Sequence, residues 1–379
     1  MPPRLLACVP DLSASLGVGR VYSGSADALR RLGWTVDYLA PQDLAPHLTT
    51  ATTEDYRQAL RRRLQTLAAD YDCVEFCYTS LPFPRSEFPA RTVFVARSVL
   101  LEHHLKDFKI PYLAHTSRRL TSYLRSCLPF RPKGWNLDEQ LRRCDATMAM
   151  ADLVSVASPR DRDKLVSLGF SPDKVAVLPY GLDDADLATL GSVSHSSGEP
   201  PRAVFLGTFD SRKGGAQMPL IFENLQRRIP KLRLRLLGTA GLHSTAQEVA
   251  AFFPRRLRSQ LEIFPRFDRS ELPQLLAGCS VGLFPSYLES FGFSVVEKLA
   301  AGLPVLAYDV PGPGDLLPPA WLSPRGQWKQ LADRAGNLLA DPAALAEARQ
   351  EARRQAARWT WDNSARLTAA AYLGAKQGK

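Results

Sequence analysis

One stretch constrains the fold more than any other: Phe284 to Asp309, FPSYLESFGFSVVEKLAAGLPVLAYD. Val281 to Phe284 is a short apolar run of the kind that fills a buried strand. Pro285 and Ser286 break it. Ser294 is the expected N-cap of a helix whose first turn holds Val295, Val296 and Glu297. Gly302 suits the left-handed position after that helix, Pro304 stops it from restarting, and Val305 to Ala307 reads as the next strand. Seven residues separate Glu289, in the loop, from Glu297, in the helix. Both lie at the carboxyl end of a strand, where open α/β sheets bind ligands. A helix start attracts phosphate, and a carboxylate accepts hydrogen bonds from sugar or ribose hydroxyls. The pair therefore suits a nucleotide sugar. On spacing alone, a solvated loop acid and a cap partner account for it equally well.

The first half of the chain repeats the alternation. Arg4 to Val9 reads as a strand, followed by a loop from Pro10 to Arg20 that carries Gly17 and Gly19, then a helix from Val21 to Leu32 and a strand from Thr35 to Leu39. Glu54 to Asp70 is helical, with Leu60, Leu64 and Leu67 on one face and Arg61 to Arg63 off it. Cys73 to Tyr78 and Val93 to Ala96 are further strands, the second followed by Arg97 and Ser98. His103 and His104 then read as surface histidines on a helix begun at Ser98. Thr116 to Trp135 interleaves arginines with Leu, Tyr, Phe and Trp, a pattern shared by ordinary amphipathic helices and by segments that lie on anionic membranes. Leu137 to Met150 is a helix and Leu153 to Ala157 a strand. Ser158 and Pro159 cap the next helix, and Val175 to Leu178 is a strand.

Leu190 to Pro201 is rich in Ser, Gly and Pro and lacks an apolar period, the composition of a linker in which His195 is solvated. Ala203 to Leu206 restarts a sheet. The following loop, GTFDSRKGG from Gly207 to Gly215, sets Arg212 and Lys213 before a helix, a combination that cradles a pyrophosphate. Strands follow at Leu232 to Leu237 and Leu261 to Phe264, and from Gln327 onward the chain is mostly helical, with Trp359 and Trp361 at a joint. The expected organisation is an α/β fold of two doubly wound Rossmann-like domains facing across a cleft: residues 1–188, a linker 189–201, residues 202–358, and a final helix 359–379 packing on the first domain.

The block EsFGfsvvEklAaGlPVla closely resembles the E-x7-E block of retaining glycosyltransferases of the family 4 type, which have the GT-B fold. The passage from Ala151 to Asp183 resembles that family's end of the first domain. The loop from Gly207 resembles its Gly-Arg-Leu-x-x-x-Lys-Gly segment: Lys213 matches the lysine, Thr208 stands at the arginine position, and Arg212 is the expected substitute charge. The resemblance implies transfer of a sugar from a UDP- or GDP-linked donor with retention of configuration. It implies donor contacts at Gly17, Gly19, Arg212, Lys213, Glu289, Phe291, Gly292 and Glu297, with Lys213, Arg212 and Glu289 acting in catalysis. The nucleobase is expected near Pro265 and Arg266. Where the family has a histidine at the end of a first-domain strand, this chain offers Arg97, His103 or His104 for the sugar or acceptor. No metal site and no cofactor beyond the donor is expected.

Composition limits the alternatives. At 379 residues with 45% apolar content, the chain can fill two cores. The six cysteines form no close pair of the kind that binds zinc. No apolar run reaches the ~20 residues of a membrane-spanning helix, and the first residues make a poor export signal. The expected location is therefore the cytoplasm, with peripheral contact at an anionic membrane face an option. The net charge of +10 suits an anionic partner, and no nucleic-acid-binding signature accompanies it. Competing readings are an epimerase or hydrolase acting on nucleotide sugars, a non-catalytic sugar-binding protein, and a basic membrane scaffold.

Overall fold

The computed structural model describes residues 2–10, 17–48, 53–111, 136–195 and 200–378. The arginine-rich segment Thr116 to Trp135 lies outside them. The chain forms two compact units, one from Met1–His104, Gly134–Asp183 and Trp359–Lys379, the other from Leu105–Lys133 and Asp184–Arg358.

The first unit is a six-stranded parallel sheet in the order β2-β1-β3-β4-β5-β6. Its strands are β1 (Arg4–Cys8), β2 (Thr35–Leu39), β3 (Cys73–Cys77), β4 (Val93–Arg97), β5 (Leu153–Val156) and β6 (Val175–Val177). The strands are mainly apolar, as a sheet covered on both faces requires, with Glu75, Arg97 and Ser155 as buried exceptions. Helix Glu54–Leu67 lays Leu60 and Leu64 into that core and keeps Arg62 and Arg63 in water. The helix expected after Pro10–Arg20 begins earlier, at Gly17, so Gly17 and Gly19 lie in its first turn rather than in a loop.

The second unit is also six-stranded and parallel, in the order β12-β11-β10-β7-β8-β9. Its strands are β7 (Arg202–Leu206), β8 (Arg233–Leu237), β9 (Leu261–Phe264), β10 (Val281–Phe284), β11 (Val305–Tyr308) and β12 (Leu322–Ser323). Residue 195 is not solvated as a linker histidine would be. His195 is half-buried, and its Nε2 lies 2.6 Å from the Ala301 carbonyl.

The C-terminal helix, Trp361–Gln377, returns to the first unit and packs along helix Gly17–Arg31. Trp361 is buried against Tyr180. One helical stretch further on, Tyr372 reaches the interior and donates its hydroxyl to Glu75 of β3. Glu75 also pairs with Arg97, the last residue of β4, at 2.6 Å, and all three side chains are buried. Breaking a buried ion pair by removing one partner leaves an uncompensated charge and costs about 3–5 kcal/mol. Glu75→Ala should therefore lower the denaturation midpoint of the first unit strongly. Glu75→Leu combined with Arg97→Met should recover most of that loss, because no orphan charge remains. Equal destabilisation by the single and double changes in a urea titration would contradict this assignment.

Candidate functional site

The site is built by neighbouring strands of the second unit. β7 pairs directly with β10, so the loops leaving their carboxyl ends lie side by side. The two loops are joined at several points. The Tyr287 amide donates to the Arg212 carbonyl at 2.7 Å, and Ser286 Oγ donates to the same carbonyl at 3.3 Å. Gly214 is left-handed, with φ of 82°, and a Cβ there would lie 2.1 Å from the Pro285 carbonyl oxygen. Only glycine permits that approach.

This contact brings Lys213 and Arg212 to Glu289. Glu289 Oε1 accepts from the Lys213 ammonium, from Arg212 Nη1 at 3.3 Å and from Ser286 Oγ at 3.0 Å. Arg212 Nη1 also donates to the Leu288 carbonyl at 3.2 Å. Burial pushes the Glu289 carboxyl up, but the Lys213 and Arg212 charges outweigh it, and the group sits below the usual glutamate range. Burial pulls the Lys213 ammonium down and Glu289 pulls it back up, with a net shift below the usual lysine range. The loop is braced from within. Asp210 accepts from the Lys213 amide at 2.7 Å and from Thr208 Oγ1 at 2.8 Å. Thr208, which stands where the resembled family has arginine, therefore holds the acid that shapes the turn.

Glu297 sits in a different setting. The helix carrying it is Phe293–Ala300, capped by Gly292 at φ 95° rather than by Ser294. Glu297 thus falls after the first turn, not within it. Its carboxylate is buried and pairs with Arg269 at 2.6 Å, and Arg269 also holds Asp186 at 2.6 Å. Phe291 is buried and stacks edge-on with Phe293 at the helix start. Tyr287, two residues before Glu289, lies 6.3 Å from the ring of Phe108, which in turn lies under the Arg325 guanidinium at 3.8 Å.

The second unit thus gathers Lys213, Arg212 and Glu289, with Glu297 on the adjoining helix. Sequence reasoning missed Ser286, Asp210 and Arg269. An Asp three residues before Lys213 is a readable turn signal; the Arg269 pairing joins distant segments and has no local signature. The remaining candidates belong to the first unit. Arg97, expected at a sugar or acceptor, is committed to Glu75, with the Tyr180 ring 5.8 Å from the guanidinium carbon. His103 and His104 are not surface residues. Both are buried on the short helix Glu102–Lys106, where His103 contacts Asp145 at 2.8 Å and His104 contacts Asp161 at 2.9 Å. Among the described residues no cluster of three or more His, Cys, Asp or Glu is arranged to hold a metal, and no helix is long and apolar enough to cross a membrane.

Comparison with known proteins adds three findings. The family model described as glycosyl transferases group 1 matches residues 192–359. A D-inositol 3-phosphate glycosyltransferase of Xylanimonas cellulosilytica is 27% identical over 248 residues, 58% of this chain and 56% of that protein. The chain spans 32–61% of the length of the first curated relatives it matches. Two solved structures share the fold. Sucrose-phosphate synthase from Thermosynechococcus elongatus superposes with a TM-score of 0.73 at 20% identity, covering 100% of each chain. Anabaena HepE in complex with UDP-glucose gives 0.65 at 16% identity, covering 98% of this chain and 99% of that one. The two six-stranded units are the two Rossmann-like domains of the GT-B architecture.

The packing at Gly214 makes a direct prediction. A left-handed non-glycine residue costs roughly 1–2 kcal/mol, and the Pro285 carbonyl adds a clash. Gly214→Ala should part the two loops, lowering the melting temperature and separating Lys213 from Glu289. A Gly214→Ala protein that melts with the wild type and keeps the ion pair in its structure would refute the close-packing argument.

Proposed function

We propose, because residues 192–359 match the family model described as glycosyl transferases group 1, that this chain moves a sugar from a nucleoside diphosphate sugar to an acceptor hydroxyl, with retention at the anomeric carbon. The observation that carries the reading is the convergence of Lys213 and Arg212 on buried Glu289 at adjacent strand ends. A UDP-linked donor is the first to test, since a protein of the same fold was solved with UDP-glucose; a GDP-linked donor is the second.

In this reading the donor's diphosphate lies against Lys213, Arg212 and the helix start after Gly292. Negative charge grows on the diphosphate as the bond from the anomeric carbon to its oxygen breaks. Fixed cations aimed at that growth lower the barrier, and here they need no metal. Once the two cations turn toward phosphate, Glu289 is left to accept hydrogen bonds from the sugar hydroxyls and orient the ring. Glu297 takes the ribose hydroxyls, with Arg269 holding its carboxylate in place. The acceptor oxygen bonds to the anomeric carbon from the face that the diphosphate leaves, and its proton passes to a departing phosphate oxygen. This route requires no second carboxylate as nucleophile, unlike a retaining hydrolase.

A donor panel tests the proposal: UDP-glucose, UDP-galactose, UDP-N-acetylglucosamine and GDP-mannose, followed by binding and by nucleotide release with and without candidate acceptors. One donor should bind saturably, with release rising when acceptor is present. Lys213→Ala should cut turnover by roughly 10²–10³-fold, as removal of one transition-state charge partner does. Glu297→Gln should act mainly on the donor KM. Failure of every donor to bind a folded protein would sink the reading, and release at equal rates without acceptor would replace it with hydrolysis.

A further inference from the structure

The scheme above uses Lys213 and leaves a second buried lysine without a role. Lys298 follows Glu297 on helix Phe293–Ala300 and is fully buried. Its side chain runs along β10 at the one position where the strand has no side chain: a Cβ on Gly282 would lie 2.8 Å from Lys298 Cδ. The amine ends 3.4 Å from the Leu283 carbonyl oxygen and 5.0 Å from the centroid of the Phe284 ring. Lys213 Nζ lies 5.4 Å from the centroid of that same ring. Both amines therefore lie beside one shared aromatic ring.

Neither partner compensates a charged amine well. A 3.4 Å hydrogen bond lies beyond the normal range, and a ring contributes about 0.5–2 kcal/mol, against several kcal/mol to bury an ammonium. The nearby carboxylates are engaged elsewhere, Glu297 with Arg269 and Glu289 with Lys213, Arg212 and Ser286. Burial pushes the Lys298 amine down to about 7, Glu297 pulling it up, Lys213 pushing it further down and Glu289 pulling up. The other elements against this helix add little. β10 brings no titratable group, and β11 brings Tyr308, bonded to Gln217. Helix Asp184–Gly191 brings Asp184 and Asp186, the second paired with Arg269. Helix Pro313–Leu316 brings Asp315, which accepts from the Gly312 amide. Helix Pro342–Ala356 brings Arg349 and also Arg353, whose guanidinium lies against Gly302.

We propose that Lys298 takes up a proton when the diphosphate of a donor settles beside Lys213, becoming a second, buried cation of the donor site. The inference rests on the donor reading above. Negative charge arriving in a water-poor site favours the charged form of a nearby amine. The bound-state amine then titrates above the free one. Donor affinity is greatest below the free amine's range, falls as pH rises through it, and levels off above the bound amine's range. A rise of one unit corresponds to a tenfold change in affinity across that window.

The probe is a sugar-capped donor, UDP-glucose or GDP-mannose, because an uncapped terminal phosphate itself titrates near pH 6. Calorimetric titrations near pH 7 in buffers of different ionisation enthalpy count the protons exchanged. The wild type should take up a fraction of a proton, on the order of one half, and bind several-fold more weakly at about pH 8.5 than at about pH 6.5. Lys298→Met should bind with no uptake and a flatter pH profile. Lys298→Arg, charged at every pH, should bind without uptake as well. Binding by the wild type without proton uptake overturns this proposal and leaves the donor reading intact, as does undiminished uptake in Lys298→Met. Absence of any binding overturns both. If neither variant folds, the wild-type inventory decides: uptake peaking near neutral pH supports the role of Lys298, and none between about pH 6 and 8.5 removes it.

Discussion

A carboxylate buried at a strand end is unstable unless something keeps it charged, and in the second unit the arrangement of two loops around Glu289 meets that requirement. Ionised carboxylates lose several kcal/mol on leaving water. Glu289 recovers this through the Lys213 ammonium, the Arg212 guanidinium and the Ser286 hydroxyl, all directed at one oxygen. None of these groups is near Glu289 in sequence except Ser286. They meet because β7 and β10 are adjacent in the sheet and because Gly214 lets one loop press on Pro285 of the other. The order of strands is thus the cause of the electrostatics. A sheet in which β8 rather than β7 lay beside β10 would leave Glu289 with no cation.

The two acids of the motif consequently differ in character, although the chain spaces them closely. Glu289 lies between cations that carry more positive charge than it neutralises, so its surroundings favour an incoming anion. Glu297 pairs with Arg269, which also holds Asp186. A hydroxyl can donate to a carboxylate that already accepts from a guanidinium, since each carboxylate offers about four lone-pair directions.

Much of this architecture was legible in the sequence because the strands are short apolar runs bounded by Gly and Pro. β2, β9 and β10 begin and end where the pattern says, and Ser158 caps its helix as expected. The start of the helix after β10 falls earlier than expected, because Ser294 is a good cap by side chain whereas the backbone turns two residues earlier, at Gly292. His103 and His104 look polar and sit near arginine-rich sequence, so they read as surface residues. Their acidic partners, Asp145 and Asp161, lie 42 and 57 residues away on other helices, and nothing local announces them. Lys298 carries no local mark of its burial, because a lysine between Glu and Leu on a helix is ordinarily solvated.

Arg97 shows why strand-end cations cannot be ranked without register. In a strand, residues two apart share a face. The parallel pairing of β3 with β4 sets Cys77 against Arg97, so Arg97 shares a face with Cys77 and therefore with Glu75. The guanidinium turns back along the sheet to that acid, and the C-terminal helix closes over it with Tyr372. Lys213 and Arg212 escape this fate because they lie beyond the strand, in a loop where the pleat no longer dictates direction. A charged residue within the pleat is held to the face its register gives it and must find its counter-ion there. A charged residue a few positions later is placed by the turn, and a turn braced by Asp210 and Thr208 can aim it at a neighbouring loop.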